Sequence, residues 1–422
     1  ILQPHPPFFR PRPEKRGFKM VMNDLYGQTC SCCHSVHPRN EASVSASFTP
    51  ELMAHLLADI YAKTFNVEED IYPELYEAAR DTFERALQEG YPIEDVDDAD
   101  TLFRQALKDD ADVFAAFRTH RMQNDIASQL LDEDGKLKEF RRFQEDVESI
   151  IGTYNNAWLQ TEYDTAVLRA RYAADWKRFS RNADILPNLK WMPTTSADPD
   201  VFHMEYWRVG LTLPKTHPFW KSHHPHDRWG CKCDLEETDD PVTGIIPEVD
   251  YKPSPGLDSN PGLEPELFSH THPYYEKAYP GAEKAVEKVI NDRNNPKALR
   301  KRLEEWYKKN LPAVKVGKME MKRFEVATPE EPIRTVINRN FYEETASKYK
   351  DSPEYAKRLE FARQAHLIFP KAKYVRDEVS RDHEDASMFK VYEYETEYGI
   401  IEFKCKVNND GYFLHYMRLL KE

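Results

Sequence analysis

Pro218-Phe219-Trp220, His223-His224-Pro225 and Trp229-Gly230-Cys231-Lys232-Cys233-Asp234 together form the stretch around which this 422-residue chain is organised. It gathers two tryptophans, three histidines and a Cys-x-Cys pair in a short run that has no aliphatic residue. Ordinary core segments are aliphatic, whereas these side chains make specific geometric demands. On an extended backbone Cys231 and Cys233 point to one face, close enough to share an ion. His203, His217, His223, His224 and His226 are within reach in sequence, and zinc takes thiolate and imidazole ligands. The candidate metal ligands are therefore Cys231, Cys233, His203 and His223. Closed structural sites prefer Cys-x2-Cys, so a second reading stays open. In it the two thiols pack beneath Trp220 and Trp229 while the histidines hydrogen-bond locally. No cofactor other than this zinc ion is expected.

Composition bounds the rest. The length suits two or three domains. Apolar residues make up 40% and charged residues 31%, with a mean hydropathy of -0.77. Proline (29) outnumbers glycine (14), which fits extended connections between helical pieces. The chain has neither a phosphate-cradling Walker loop nor a GxGxxG run. Its net charge is -14, so nucleic acid would have to meet a local basic patch. No apolar run approaches the roughly 18 residues of a membrane span, and no membrane partner is expected. The first twenty residues are rich in proline and arginine and lack the apolar core of a signal peptide. Six unevenly spaced cysteines do not form a secreted disulfide scaffold, which points to a reducing cytoplasm.

The fold class read from the pattern is α+β, with a predominantly helical N-terminal half, a small Cys/Trp-rich α+β end, and a C-terminal helix plus antiparallel β-meander. Residues 1–45 read as an irregular tail whose Cys30-Ser31-Cys32-Cys33-His34 and His37 are either metal ligands or free thiols. A domain spans 46–240. Its first helix begins at Thr49-Pro50-Glu51, followed by helices over Glu74–Glu89, Ala99–Leu107 and Ala111–Leu131. The longest helix, from Lys138 to Phe179, carries an apolar stripe of Phe140, Phe143, Val147, Ile150, Ile151, Tyr154 and Trp158. Short strands and loops are expected around Trp191 and over Val201–Trp207. Residues 241–280 read as a proline-rich connector arm outside any packed domain. Residues 281–338 form a basic helical segment whose cations, from Arg293 to Arg323, are the candidate contact for RNA or DNA. Residues 339–422 form a C-terminal α+β module. It has a helix over Phe341–His366 and strands over Met388–Thr396, Ile400–Val407 and Tyr412–Leu420.

The order of motifs resembles the Mu F-like head morphogenesis proteins, the minor capsid proteins of tailed phages. It runs from Thr161-Glu162-Tyr163-Asp164-Thr165-Ala166 through Trp191, Asp198 and His203. His217-Pro218-Phe219-Trp220 follows, with Trp229 and Gly230-Cys231-Lys232-Cys233 at the end. That family closes its domain on Cys-Arg-Cys; Lys232 keeps the charge and loses the planar fork. The likeness covers roughly residues 50–240. It implies a minor head protein, found in the virion and in the host bacterial cytoplasm during assembly. Such a protein binds the portal and capsid proteins and assists head assembly or DNA packaging, without catalysis in this region.

Mu F-like proteins often carry fused modules, including small nucleases of the barnase/EndoU/colicin/RelE-like superfamily. Cleaving RNA without a metal takes a base, an acid and a cation. Candidates are His366, Arg381, His383, Lys390, His415 and Arg418, although strand alternation sets His415 and Arg418 on opposite faces. Two rival readings follow. One is a virion-delivered effector whose C-terminal module is an RNase, and the other is a zinc-stabilised interaction protein.

Overall fold

The computed structural model describes residues 46–93, 100–194, 199–316, 319–350, 352, 354–380, 387–396, 399–408 and 411–420. The N-terminal cysteines, Asp198, Arg381 and His383 lie outside the described residues. The fold is α+β, helical in its N-terminal half and sheet-rich at its C-terminal end. Contacts divide it into two compact units, residues 46–93 with 106–286 and residues 100–105 with 287–420.

The first unit opens on α1 (Pro50–Ala62), where Thr49 accepts the Leu52 N–H at 3.2 Å and Pro50 takes the first helical position. After α2 (Pro73–Gly90), α3 (Thr101–Ala127) runs unbroken where two helices were expected. The joining Lys108-Asp109-Asp110 holds no glycine or proline. Lys108 pairs with Glu84 at 2.8 Å, and Asp110 accepts the Leu267 N–H at 2.7 Å. The long helix consists of α4 (Phe140–Gly152), a π-helical turn (Thr153–Trp158) and α5 (Leu159–Arg181). Phe143, Val147, Ile150, Tyr154 and Trp158 of its stripe are buried.

A small antiparallel sheet follows, in the order β2-β1-β3, from β1 (Asn188–Met192), β2 (Thr212–Pro214) and β3 (Asp234–Thr238). Between β1 and β2 lies α6 (Val201–Arg208), where a strand or loop was expected. Asp200 decides this, because its carboxylate accepts the Phe202 and His203 N–H groups and caps a helix.

The proline-rich run 241–280 is not a free arm. Apart from the short α7 (Pro273–Glu276) it is irregular, yet Leu257, Leu267, Phe268 and Tyr274 are at most 1% exposed. Its anchor is Arg169 on α5, fully buried, whose guanidinium donates to the carbonyls of Leu267 (2.7 Å), Ser259 (2.7 Å), His226 (3.2 Å) and Leu257 (3.3 Å). Irregular backbone can be buried here because one side chain satisfies several of its carbonyls. Gly262 lies flat on Trp176, where a Cβ would come within 2.3 Å of the Trp176 Cβ. The helix α8 (Ala282–Asn294) comes next.

In the second unit, α9 (Pro296–Asn310) is capped by Asn295, which accepts the Ala298 N–H at 2.9 Å. Residues 313–338, expected as helix, are strands: β4 (Ala313–Val316), β5 (Met319–Thr328) and β6 (Glu331–Asn338). The single helix expected over 341–366 is divided into α10 (Arg339–Ser347), α11 (Tyr355–Arg363) and α12 (Ala365–Ile368). Tyr349 turns the chain between the first two with a φ of 49°. The strands β7 (Lys373–Ser380), β8 (Ser387–Thr396), β9 (Gly399–Asn408) and β10 (Gly411–Leu420) complete one sheet, ordered β4-β5-β6-β10-β9-β8-β7. The expected meander is thus one half of a larger sheet, joined to the other half where β10 runs parallel to β6. One sheet face, with Ile337, Phe403, Cys405, Leu414 and Met417, packs on Tyr342, Leu359, Ala362 and Phe369.

Replacing Arg169 with methionine should leave several buried carbonyls unpaired and destabilise the first unit by at least about 3 kcal/mol. Urea unfolding measures this. Limited proteolysis should cut within 240–280 in the variant and spare that run in the wild type; equal cutting in both would contradict the buried connector.

Candidate metal centre

The motif residues converge at one end of the first unit. Trp191, on β1, stacks on Trp220 at 6.1 Å and lies 5.0 Å from the His203 ring. Trp220 donates to the Pro214 carbonyl at 2.9 Å, and Trp229 stacks on Phe268 at 5.9 Å. His217 is a cap: its Nδ1 accepts the Phe219 N–H at 3.1 Å and opens the 3-10 turn Pro218–Lys221. His272-Pro273-Tyr274 repeats the device at α7, with the same 3.1 Å bond. Lys232 is exposed, so its departure from arginine falls on a solvent-facing position.

Cys231, Cys233 and His203 form a buried cluster whose ligand atoms lie within 4.8 Å of one another. The cysteines sit just before β3 rather than on a strand, yet their inward–outward–inward alternation with Lys232 holds. Gly230, with a φ of 74°, turns the chain into this segment. His203 Nδ1 is 3.3 Å from the Cys231 sulfur and 3.6 Å from that of Cys233. Tetrahedral zinc, with bonds of about 2.3 Å to sulfur and about 2.0 Å to nitrogen, sets such pairs about 3.5 Å apart. The two nitrogen–sulfur edges of the triad therefore match those of a zinc site. His223 does not join it. That ring stacks on Phe219 at 5.0 Å, and its Nδ1 meets the Ser222 hydroxyl at 2.9 Å.

Sequence reasoning missed the residues behind His203. Its Nε2 lies 2.9 Å from the Asp227 carboxylate, which also accepts the Tyr251 hydroxyl at 3.0 Å. Burial alone would raise the Asp227 pKa, but the attraction of His203 outweighs it and the group lies below the usual carboxylate value. Burial would lower the His203 pKa, but Cys231 and Asp227 raise it well above the ordinary imidazole value, so the carboxylate holds the Nε2 proton and a metal ion at the two sulfurs would take the place of the one on Nδ1. Asp227 lies inside the quoted stretch, an acid in a run of histidines and tryptophans; that is its only signal in the sequence. Tyr251 had none.

Cys231, His203 and Asp227 also follow the order of a nucleophile, its base and an orienting carboxylate. Two observations oppose that use. All three are at most 3% exposed, and burial, with the Cys233 hydrogen bond, pushes the Cys231 thiol up to about 11. An enclosed thiol with a raised pKa is poorly placed to attack a substrate, and it becomes a ligand only where a metal ion displaces its proton.

The second unit separates the remaining candidates. On β10 the register passes from Leu414↔Cys405 to Tyr416↔Lys404, which makes His415 the extra residue of a β-bulge. The bulge resets the alternation. His415 lies 5.3 Å from Phe389, on the same face as Arg418 and not opposite it. Arg418 is taken up by Glu402 at 2.8 Å, whose other oxygen accepts from Arg376 at 2.8 Å. His366 stacks on Phe324 at 4.1 Å, and Lys390 lies over Tyr374, both on the helix-covered side. The four described candidates, His366, Lys390, His415 and Arg418, do not form one catalytic group. Compared with protein-family models, curated proteins and solved structures, the chain matches none.

The histidines beside the cluster predict a pH dependence. His224 stacks on Tyr172 at 5.5 Å, and burial pushes its pKa down to about 4. In the unfolded chain it takes its proton near 6.5, so its contribution to stability is lost as pH falls from about 6.5 to about 4. Asp110, raised by burial to about 7, acts in the opposite sense over an overlapping range, so the readout is a difference between proteins. Across that range the wild type should lose about 3 kcal/mol more than His224→Gln in urea unfolding. Parallel profiles would refute the assignment.

Proposed function

We propose that this chain is a phage minor head protein that associates with portal and capsid proteins, and that its Cys-Lys-Cys end holds a structural zinc ion. The observation that supports this reading is the convergence of Trp191, His203, Trp220, Cys231 and Cys233. These residues, spread over more than forty positions, meet in one closed knot rather than around a cleft. The motif order that resembles Mu F-like proteins is therefore an architectural unit, as expected of an assembly protein. Glu162, from the Thr161–Ala166 stretch of the same resemblance, is also structural. It is fully buried, pairs with Arg118 at 2.6 Å and accepts the Tyr274 hydroxyl at 2.6 Å.

In the zinc site, Cys231 and Cys233 supply thiolates, His203 supplies Nδ1, and Asp227 orients the ring. The ion offsets the cost of burying two thiolates and fixes the end of the domain.

Two measurements test this. Peptide mapping by mass spectrometry of particles purified from a producing strain should find the chain in the virion; its complete absence would overturn the head-protein reading. Purified protein should carry one zinc per chain. Cys231→Ser/Cys233→Ser should lose the zinc and unfold at markedly lower denaturant. A metal-free wild type as stable as the variant would refute the zinc assignment and leave the particle result standing.

A further inference from the structure

The basic segment plays no part in the zinc site, and the structure gives it a shape the sequence did not suggest. Residues 297–323 hold ten lysines and arginines against three glutamates, in a chain of net charge -14. Two of those glutamates are engaged locally, Glu304 with Lys308 at 2.6 Å and Glu305 with Lys301 at 3.8 Å. The cations divide between α9 and a two-stranded ribbon. β5 pairs with β6 only from Arg323 onward, so Met319–Lys322 pairs with β4 alone.

The ribbon has two unlike faces. Val314 and Val316 oppose Met321 and Met319, while Lys315 opposes Glu320 and Ala313 opposes Lys322. Lys322 Nζ donates to the Lys308 carbonyl at 3.3 Å and sets the Lys322 end of the lysine face, which also carries Glu320, beside the last turn of α9. Lys308, Lys309, Lys315 and Lys322 are all exposed, and cations at a helix C-terminus are stabilised by its dipole.

We propose that the lysine face of this ribbon, with the last turn of α9, binds duplex DNA through its phosphates. A two-stranded ribbon, with strands about 4.8 Å apart, fits a major groove about 12 Å wide. Lysines present point charges without a fork for base edges, so the contact follows the backbone and not the sequence. The surface lies wholly in the second unit, and the inference stands apart from the head-protein reading.

The test uses the full chain and a fluorescently labelled duplex of arbitrary sequence, with anisotropy followed over about 50 to 200 mM KCl. Affinity should fall steeply with salt. Lys315→Gln/Lys322→Gln should weaken binding and flatten the log–log slope by about 0.9 for each lysine removed. Met319→Ser/Met321→Ser, on the opposite face, should leave the slope unchanged. The proposal is overturned if the wild type does not bind at the lowest salt, or if the lysine variants keep its slope. Tighter binding of single-stranded RNA of equal length, or loss of binding only in the methionine variant, would overturn it as well.

Discussion

A single guanidinium organises the first unit. Arg169 projects from α5 into a place with almost no regular secondary structure and hydrogen-bonds carbonyls that strands or helices would otherwise satisfy. Burial pushes its pKa down to about 10 against the pull of Asp227 and Asp110, so it remains charged at neutral pH. A charge is costly to bury, and here the cost is offset by hydrogen bonds that no neutral side chain could provide in such number. The connector needs Arg169 to be buried, and Arg169 needs the connector's carbonyls.

The same residue reaches the Cys/His cluster. The His226 carbonyl accepts from Arg169, and His226 Nδ1 meets the Cys231 carbonyl at 2.9 Å. Asp227, next in the chain, fixes His203. The path from helix core to thiol is therefore a short series of hydrogen bonds through the 226–231 turn. Rigid support of this kind would favour an ion at the cluster, because ligands held in place lose little entropy when an ion binds.

Legibility in the sequence followed the range of the interactions. Capping is local, so α1 was readable from Thr49-Pro50, and the stripe from Phe143 to Trp158 was readable from its period. The middle one of the three terminal strands was equally clear from the alternation of Ile401, Phe403, Cys405 and Val407. What failed depended on distant partners. The connector looked like a free arm because Arg169, far upstream, carries no sign that its partners are backbone carbonyls. The strands β4 to β6 were hidden under a run of lysines, whose charge marks a solvated face on helix or ribbon alike. Of the expected ligand set, Cys231, Cys233 and His203 lie together and His223 does not, while Asp227 and Tyr251 lay beyond reach. His415 was misplaced because alternation assumes an unbulged strand.

Whether the Cys-Lys-Cys end holds a metal ion is tested most directly by the coordination shell itself. X-ray absorption at the zinc edge of the purified, metal-replete chain should show sulfur scatterers at about 2.3 Å, two per zinc, and nitrogen at about 2.0 Å with an imidazole pattern. A shell of oxygen and nitrogen alone would contradict the account. It would mean that the two thiols only pack beneath the tryptophans, and that the ion, where found, is held elsewhere.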